Sequence, residues 1–284
     1  MGIETLSHYV ANARVLDWRA YLGFGVIGFL AAVNKSSLFN LDQEPWILLV
    51  KILVTLVFYL SFAFSINNCY DIVEDSFDTD KLVQNTIASE KISFIKGLTF
   101  SLVTGAVGIF FCVFWFNTIS IFLYTTSIIL AALYSAPPLR FKARPFFDIV
   151  SHGLFFGILL FLYCTSTLGF FNLNFMVLGT PIFIYSVTLE LRNHLEDFEG
   201  DEEAKIMTTV QKIGVNTTRF LLTNLLIIHW LLMSIIFLEI LSLFPIFLFS
   251  AIMMIVTMLV RDDRFLRVND VVTSICYIVM AVQA

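Results

Sequence analysis

Apolar residues in this chain come in long unbroken runs, each closed by a short polar stretch. An α-helix needs roughly 17–25 such residues to cross a bilayer. Nine runs fit, near residues 18–34, 46–67, 93–116, 118–135, 147–169, 173–190, 219–241, 243–260 and 268–283. The pattern predicts an all-α, polytopic membrane protein with nine transmembrane helices. Only a polar break around Asn117 parts the third run from the fourth, and a short link near Leu241 to Phe244 parts the seventh from the eighth. No stretch reads as a separate soluble domain, so residues 1–284 are expected to form one transmembrane domain.

Composition agrees with the pattern. The 284 residues are 58% hydrophobic and 14% charged, with 31 Phe, whereas soluble domains carry about a quarter charged residues. Residues 1–17 lack the basic-then-apolar order of a cleavable signal, so the first run should act as an uncleaved anchor. Cys69, Cys112, Cys164 and Cys276 show neither metal-type nor disulfide-type spacing and read as packing residues. No nucleic acid is expected as a partner.

Charge adds an orientation. With nine spans, Lys35 and Lys51 fall on one side of the membrane and the rest of the 17 Lys and Arg on the other. These include Arg14, Arg19, Lys81, Arg140, Lys142, Arg192, Lys205, Arg261, Arg264 and Arg267. The positive-inside rule makes that side cytoplasmic, with the N-terminus inside. The cytoplasmic loops are also the long, charged ones, which is where function is expected. The protein should sit in the cell membrane with its active face cytoplasmic.

The acidic residues are not spread evenly. Thirteen of the 22 Asp and Glu fall within residues 71–90 and 190–203. In the first stretch Asn67, Asp71 and Asp75 are spaced i, i+4, i+8 and share one helix face at the mouth of the second span. In the second, Glu190, His194, Asp197 and Asp201 are spaced 4, 3 and 4, unless Gly200 breaks the helix. One acidic helix end is ordinarily a solvated surface. Two of them at one membrane face point to a cation between them. Mg²⁺ suits such a site, since it takes oxygen ligands and is typically held by few carboxylates together with substrate phosphates. Lys81 follows the first cluster, and Arg140 and Lys142 follow the rigid turn Tyr134-Ser135-Ala136-Pro137-Pro138, making a basic rim for phosphate oxygens. His152 and His229 lie inside apolar spans and read as packing residues. His194 differs, because it shares a face with carboxylates. The recurrence of an acidic cluster after spans two and six hints at two similar halves, about 1–135 and 136–284.

These residues resemble the UbiA superfamily of intramembrane prenyltransferases. Asn67-Asn68-Cys69-Tyr70-Asp71-Ile72-Val73-Glu74-Asp75 is similar to the family's first aspartate motif, and Asp197-Phe198-Glu199-Gly200-Asp201 to its second. Tyr134 to Lys142 looks like its tyrosine-serine-proline-basic loop, and Ile87 to Ser93 like the segment after the first motif. Arg140-Phe141-Lys142-Ala143-Arg144-Pro145-Phe146-Phe147-Asp148 looks most like the subgroup that elongates lycopene-type carotenoids. Two positions depart from the pattern: Asn68 stands where the family usually has Asp, and His194 where many members have a further Asp.

The resemblance implies nine helices around a central cavity and transfer of an isoprenoid from an allylic polyprenyl diphosphate, such as geranylgeranyl diphosphate, to a lipophilic acceptor held among membrane lipid. It implies Mg²⁺ as cofactor, with Asp71, Asp75, Asp197 and Asp201 as metal-binding and catalytic residues. Asn67, Asn68, Lys81, Tyr134, Ser135, Arg140, Lys142, Arg192, Asn193 and His194 would bind the diphosphate. The alternatives are an ion-coupled transporter, against which both acidic clusters lie at one face, and a catalytically inactive relative that binds a prenyl lipid.

Overall fold

The computed structural model describes residues 3–36, 44–240, 242–259 and 263–283, so Arg261 and Leu241 lie outside the described residues. Among those residues the chain is helical with no strand. The long helices are α1 (Arg19–Lys35), α2 (Pro45–Tyr70), α3 (Phe94–Trp115), α4 (Thr118–Ser135), α5 (Phe147–Ser166), α6 (Leu173–Glu196), α7 (Val215–Ile235), α8 (Phe244–Leu259) and α9 (Asp263–Gln283). Among the described residues eight helices are long and apolar enough to cross a membrane, and the predicted eighth span is a shorter apolar helix, Phe244–Thr257. The protein is an integral membrane protein.

Local signals set the helix boundaries. Pro45 opens α2, where its missing N–H costs nothing and its φ is preset for helix. The Asn117 and Asn172 side chains cap α4 and α6 by accepting from Ser120 N and Phe175 N. The break around Asn117 is thus a turn between two spans. Asn117 also donates to Ser166 O at 2.5 Å, which ties the C-terminal end of α5 to it.

Neighbouring helices pair as α2 with α3, α4 with α5, α5 with α6 and α6 with α7, while α1 packs on α5 and α9 returns to α1. The last helix is thereby brought back against the first. Small residues allow the close crossings: a Cβ on Gly153 would lie 2.6 Å from Val187 Cγ2, and one on Gly157 2.9 Å from Ser186 Cβ. Without those methyls α5 can press against α6, the means by which helices associate where lipid removes the hydrophobic drive. In α5 the turn Gly153–Ile158 is a π-helix, immediately after His152.

Both acidic motifs are built alike. α2 ends at Tyr70 and α6 at Glu196. The next residue, Asp71 (φ −98, ψ 15) or Asp197 (φ −88, ψ 1), leaves the helical region, and a short helix follows, Ile72–Asp75 or Phe198–Glu203. The hydrogen bonds still run i+4 across each break: Asp71 N to Asn67 O and Asp75 N to Asp71 O, then Asp197 N to Asn193 O and Asp201 N to Asp197 O, all 2.9–3.0 Å. One-face spacing therefore survives in both motifs. Gly200 breaks nothing; the second helix is interrupted at Asp197.

Candidate active site

The two short helices pack against each other, and two adjoining cavities of about 440 and 420 Å³ open beside them. Asp75, Lys81, Lys142, Glu196 and Asp197 line both. Asn67, Asp71, Tyr134, Ser135, Asn193 and His194 line the first, and Asp201 the second. Eleven of the fourteen residues expected at the site are thereby gathered from α2, α4, α6 and the loops that follow them.

Ion pairs order the rim. Lys142 meets Asp71, Arg140 meets Glu74, and Lys81 crosses to Asp197 of the other motif. Asn67 Nδ2 donates to Asp71. Burial works against the Lys142 ammonium, but Asp71 and Glu74 outweigh it and raise its pKa. Asp75 and Asp201 are the motif aspartates without a cation among the described ion pairs. Burial, then the Asp71 charge, pushes Asp75 up to about 6, and burial pushes Asp201 up to about 6. One unpaired carboxyl thus comes from each motif.

This arrangement fits Mg²⁺. Asp71 Oδ1 and Asp201 Oδ2 are buried and accept no hydrogen bond, so each motif keeps an oxygen free for a hard cation. Among the described residues no three His, Cys, Asp or Glu side chains converge as a metal cluster by themselves. Mg²⁺ requires no such cage, because it keeps waters and shares its shell with substrate phosphates.

Three expected residues lie elsewhere. Asn68 is fully buried and turned into the N-terminal packing, where its Nδ2 donates to Asn12 O at 3.0 Å and its carbonyl accepts from Asn85 at 2.9 Å. The departure at this position therefore sits behind the cavity wall. Arg192 binds Asp270 of α9 at 2.8 and 3.1 Å, and Tyr185 donates to the same carboxylate. Arg140 reaches Glu74 and Tyr70 O (3.0 Å), so it braces the end of α2 outside both cavities.

Two further cavity residues were read differently from sequence, Glu190 as part of the second acidic face and His152 as packing. Glu190 is 4% exposed and His152 3%; both line the first cavity beside Tyr21, Phe64, Phe155 and Phe156. Glu190 and the fully buried Asp148 lie within α6 and in the first turn of α5. Their i, i+4 relation to His194 and His152 was the available signal. His229, in contrast, sits against Tyr277 OH at 2.8 Å, apart from either cavity.

The model of the UbiA prenyltransferase family matches residues 21–275. The chain belongs to that family. A probable homogentisate phytyltransferase of Oryza sativa subsp. japonica is 27% identical over 243 residues, covering 81% of this chain and 63% of that protein. A lycopene elongase/hydratase of Haloarcula japonica is 25% identical over 224 residues, covering 76% of this chain and 71% of that protein. The chain thus spans about two thirds of the length of these curated relatives. Among solved structures, a UbiA homologue from Archaeoglobus fulgidus bound to GPP and Mg²⁺ superposes with a TM-score of 0.72 at 20% identity, over 96% of this chain and 98% of that one. A structure described for digeranylgeranylglyceryl phosphate synthase gives 0.74 at 19% identity, covering 99% of this chain and 100% of that one. The two curated relatives differ in acceptor at similar identity, so likeness does not favour the carotenoid-elongating subgroup.

Proposed function

We propose that the protein transfers an isoprenoid chain from an allylic polyprenyl diphosphate, such as geranylgeranyl diphosphate, to a lipophilic acceptor within the membrane, releasing diphosphate. The observation that carries this is one cavity with two chemistries. Its rim holds carboxylates of both motifs with Lys81 and Lys142, and further in it is lined by Phe64, Phe155, Phe156 and Tyr21. A diphosphate head and a greasy tail call for that combination. The family supports the reaction class.

Asp71, Asp75, Asp197 and Asp201 would hold Mg²⁺, with Asn67 orienting Asp71. Bound Mg²⁺ would supply positive charge where the leaving diphosphate becomes negative. Lys81 and Lys142 would donate to the remaining phosphate oxygens, and Tyr134 and Ser135 would complete the wall. As the allylic C–O bond breaks, its electron pair leaves with the diphosphate, and the ring faces of Phe64, Phe155 and Phe156 stabilise the allylic cation. Packed spans would keep water from quenching that cation.

The active face is taken to be cytoplasmic and the membrane the cell membrane, on the distribution of Lys and Arg. The chain is taken to work as one domain. An inactive lipid-binding relative is less well supported, because Asn68 faces away from the cavity and all four aspartates are present. Purified protein with Mg²⁺, geranylgeranyl diphosphate and a lipid extract as acceptor pool should release diphosphate and yield prenylated lipid. Asp71→Ala or Asp197→Ala should abolish both, and turnover retained in both variants would sink the two-motif site.

A further inference from the structure

Beyond the rim, the cavity meets Glu190 and His152, which the diphosphate chemistry does not use. Glu190 lies seven residues back from Asp197, about 10 Å along α6 at 1.5 Å per residue. It accepts from Tyr134 OH and from Asn193 Nδ2 at 3.2 Å. Two imidazoles complete its surroundings, His152 Nε2 at 3.2 Å and His194 Nε2 at 3.0 Å. An ionisable residue inside a span is expensive and marks function by default.

The two histidines are not equivalent. His194 has a carboxylate at each nitrogen, with Nδ1 3.4 Å from Asp148 Oδ2 as well as Nε2 against Glu190. Those are ion-pair contacts without hydrogen-bond alignment. Asp148 is itself fixed by Thr209, through N and Oγ1, both at 2.5 Å. His194 thus faces acceptors alone and has no nitrogen left for an incoming proton.

His152 is poised differently. Its Nδ1 lies 3.2 Å from the Ser186 carbonyl, which can only accept, so Nδ1 carries a hydrogen. The Ser186 hydroxyl, also 3.2 Å from Nδ1, is free to accept because it can donate to the His152 carbonyl at 3.4 Å. That leaves Nε2 with two neighbours of opposite kind. Tyr21 OH, at 3.4 Å, donates to a neutral imidazole, and Glu190, at 3.2 Å, accepts from a protonated one. Both charge states of His152 therefore have a partner already in place. The π-turn that follows supports the placement, since it sets His152, Phe155 and Phe156 on the cavity wall together; such turns concentrate at functional sites.

We propose that His152 takes the proton that the acceptor gives up when it is prenylated, with Glu190 as the positioning residue that holds the resulting imidazolium. This rests on the prenyl-transfer reading above. The new bond forms between the allylic carbon and the acceptor nucleophile, and the proton from that nucleophile passes to His152 Nε2, directly or through Tyr21 OH. Diphosphate departs with the electron pair of the broken C–O bond, so charge and atoms balance with no further reagent. Positioned general bases contribute about 100-fold or more.

The test uses full-length protein in membranes with Mg²⁺, labelled geranylgeranyl diphosphate and a lipid extract as acceptor pool. His152→Gln should lower transfer about 100-fold while binding geranylgeranyl diphosphate within about twofold of wild type. With Mg²⁺ and geranylgeranyl diphosphate saturating, so that Asp75 and Asp201 stay deprotonated, the wild-type rate should fall as pH drops and His152 becomes protonated, and the Gln variant should lose that limb. The groups facing the imidazole are Tyr21 from α1, Tyr134 from α4, Glu190 and His194 from α6, and Asp148 from its own helix. His152→Ala should recover part of its transfer when imidazole is added, and Glu190→Gln should lose about tenfold while keeping diphosphate affinity. Full transfer with an unchanged pH profile in His152→Gln would overturn the proposal. So would loss of both binding and transfer in the Gln and Ala variants with no imidazole rescue, which makes His152 a packing residue. Absence of transfer in wild type would instead count against the prenyl-transfer reading itself.

Discussion

At the rim of the cavity each cation sits on one carboxylate, and Asp75 and Asp201 are left over. About 10 Å deeper along α6, Glu190 accepts from Tyr134 and Asn193 and has the His152 and His194 imidazoles 3.2 and 3.0 Å away. The rim is thus a set of charges waiting for a partner, whereas Glu190 in the interior cluster already has its partners within the protein. That difference assigns them different work. Unfilled carboxylates, one pushed up in each motif, suit a metal brought in with the substrate. A cluster that offers His152 a partner in either charge state suits moving one proton.

The largest effects should come from the rim. Asp71→Ala and Asp197→Ala should each cost at least about 1,000-fold in kcat/KM, measured with geranylgeranyl diphosphate, because each removes a ligand and leaves a lysine, Lys142 or Lys81, without its partner. Lys142→Met should raise the KM for the diphosphate about tenfold with a smaller fall in kcat, as expected of a residue that binds phosphate oxygens in substrate and transition state alike.

A pH comparison separates the two regions further. The Asp75 and Asp201 carboxyls are raised by burial to about 6, above their ordinary value, so in the metal-free protein folding favours their protonated forms and stability declines as pH rises through 6. Mg²⁺ requires both deprotonated. Mg²⁺ with geranylgeranyl diphosphate should therefore raise the melting temperature more above pH 6 than below it, and Asp75→Asn should flatten that difference. Equal shifts on both sides of pH 6 would count against these two carboxyls as ligands.

The smallest effects belong to residues outside both regions. Arg192→Ala should leave KM unchanged and cost about 1 kcal/mol or less of stability in thermal unfolding, since its pair with Asp270 is partly exposed. A KM rise for the diphosphate would return Arg192 to the site. Asn68→Asp should likewise leave Mg²⁺ dependence intact and act on stability, because its Nδ2 is needed by Asn12.

The same contrast explains what sequence could reveal. The nine apolar runs and both motifs were legible because each is local: bilayer length in one case, i, i+4 spacing in the other. Lys81 and Lys142 were legible for the same reason, as cations close in sequence to a motif or a rigid turn. The interior cluster as a whole was not, since its members come from α1, α4, α5 and α6: Tyr134 and Glu190 stood out beside the rigid turn and in the second acidic run, whereas Tyr21 and His152 each look like packing residues. Arg192 misled in the opposite sense. It sits inside the acidic stretch, but its partner Asp270 is 78 positions away.

The account rests on two motifs holding one Mg²⁺–diphosphate head between them. Titrating geranylgeranyl diphosphate into detergent-solubilised protein, with and without Mg²⁺, in wild type, Asp71→Ala and Asp201→Ala tests this most directly. Binding to wild type should depend on Mg²⁺, and either substitution alone, one in each motif, should weaken it about 100-fold, the equivalent of about 2.7 kcal/mol. Mg²⁺-dependent binding that survives at wild-type affinity in either variant would contradict the shared site.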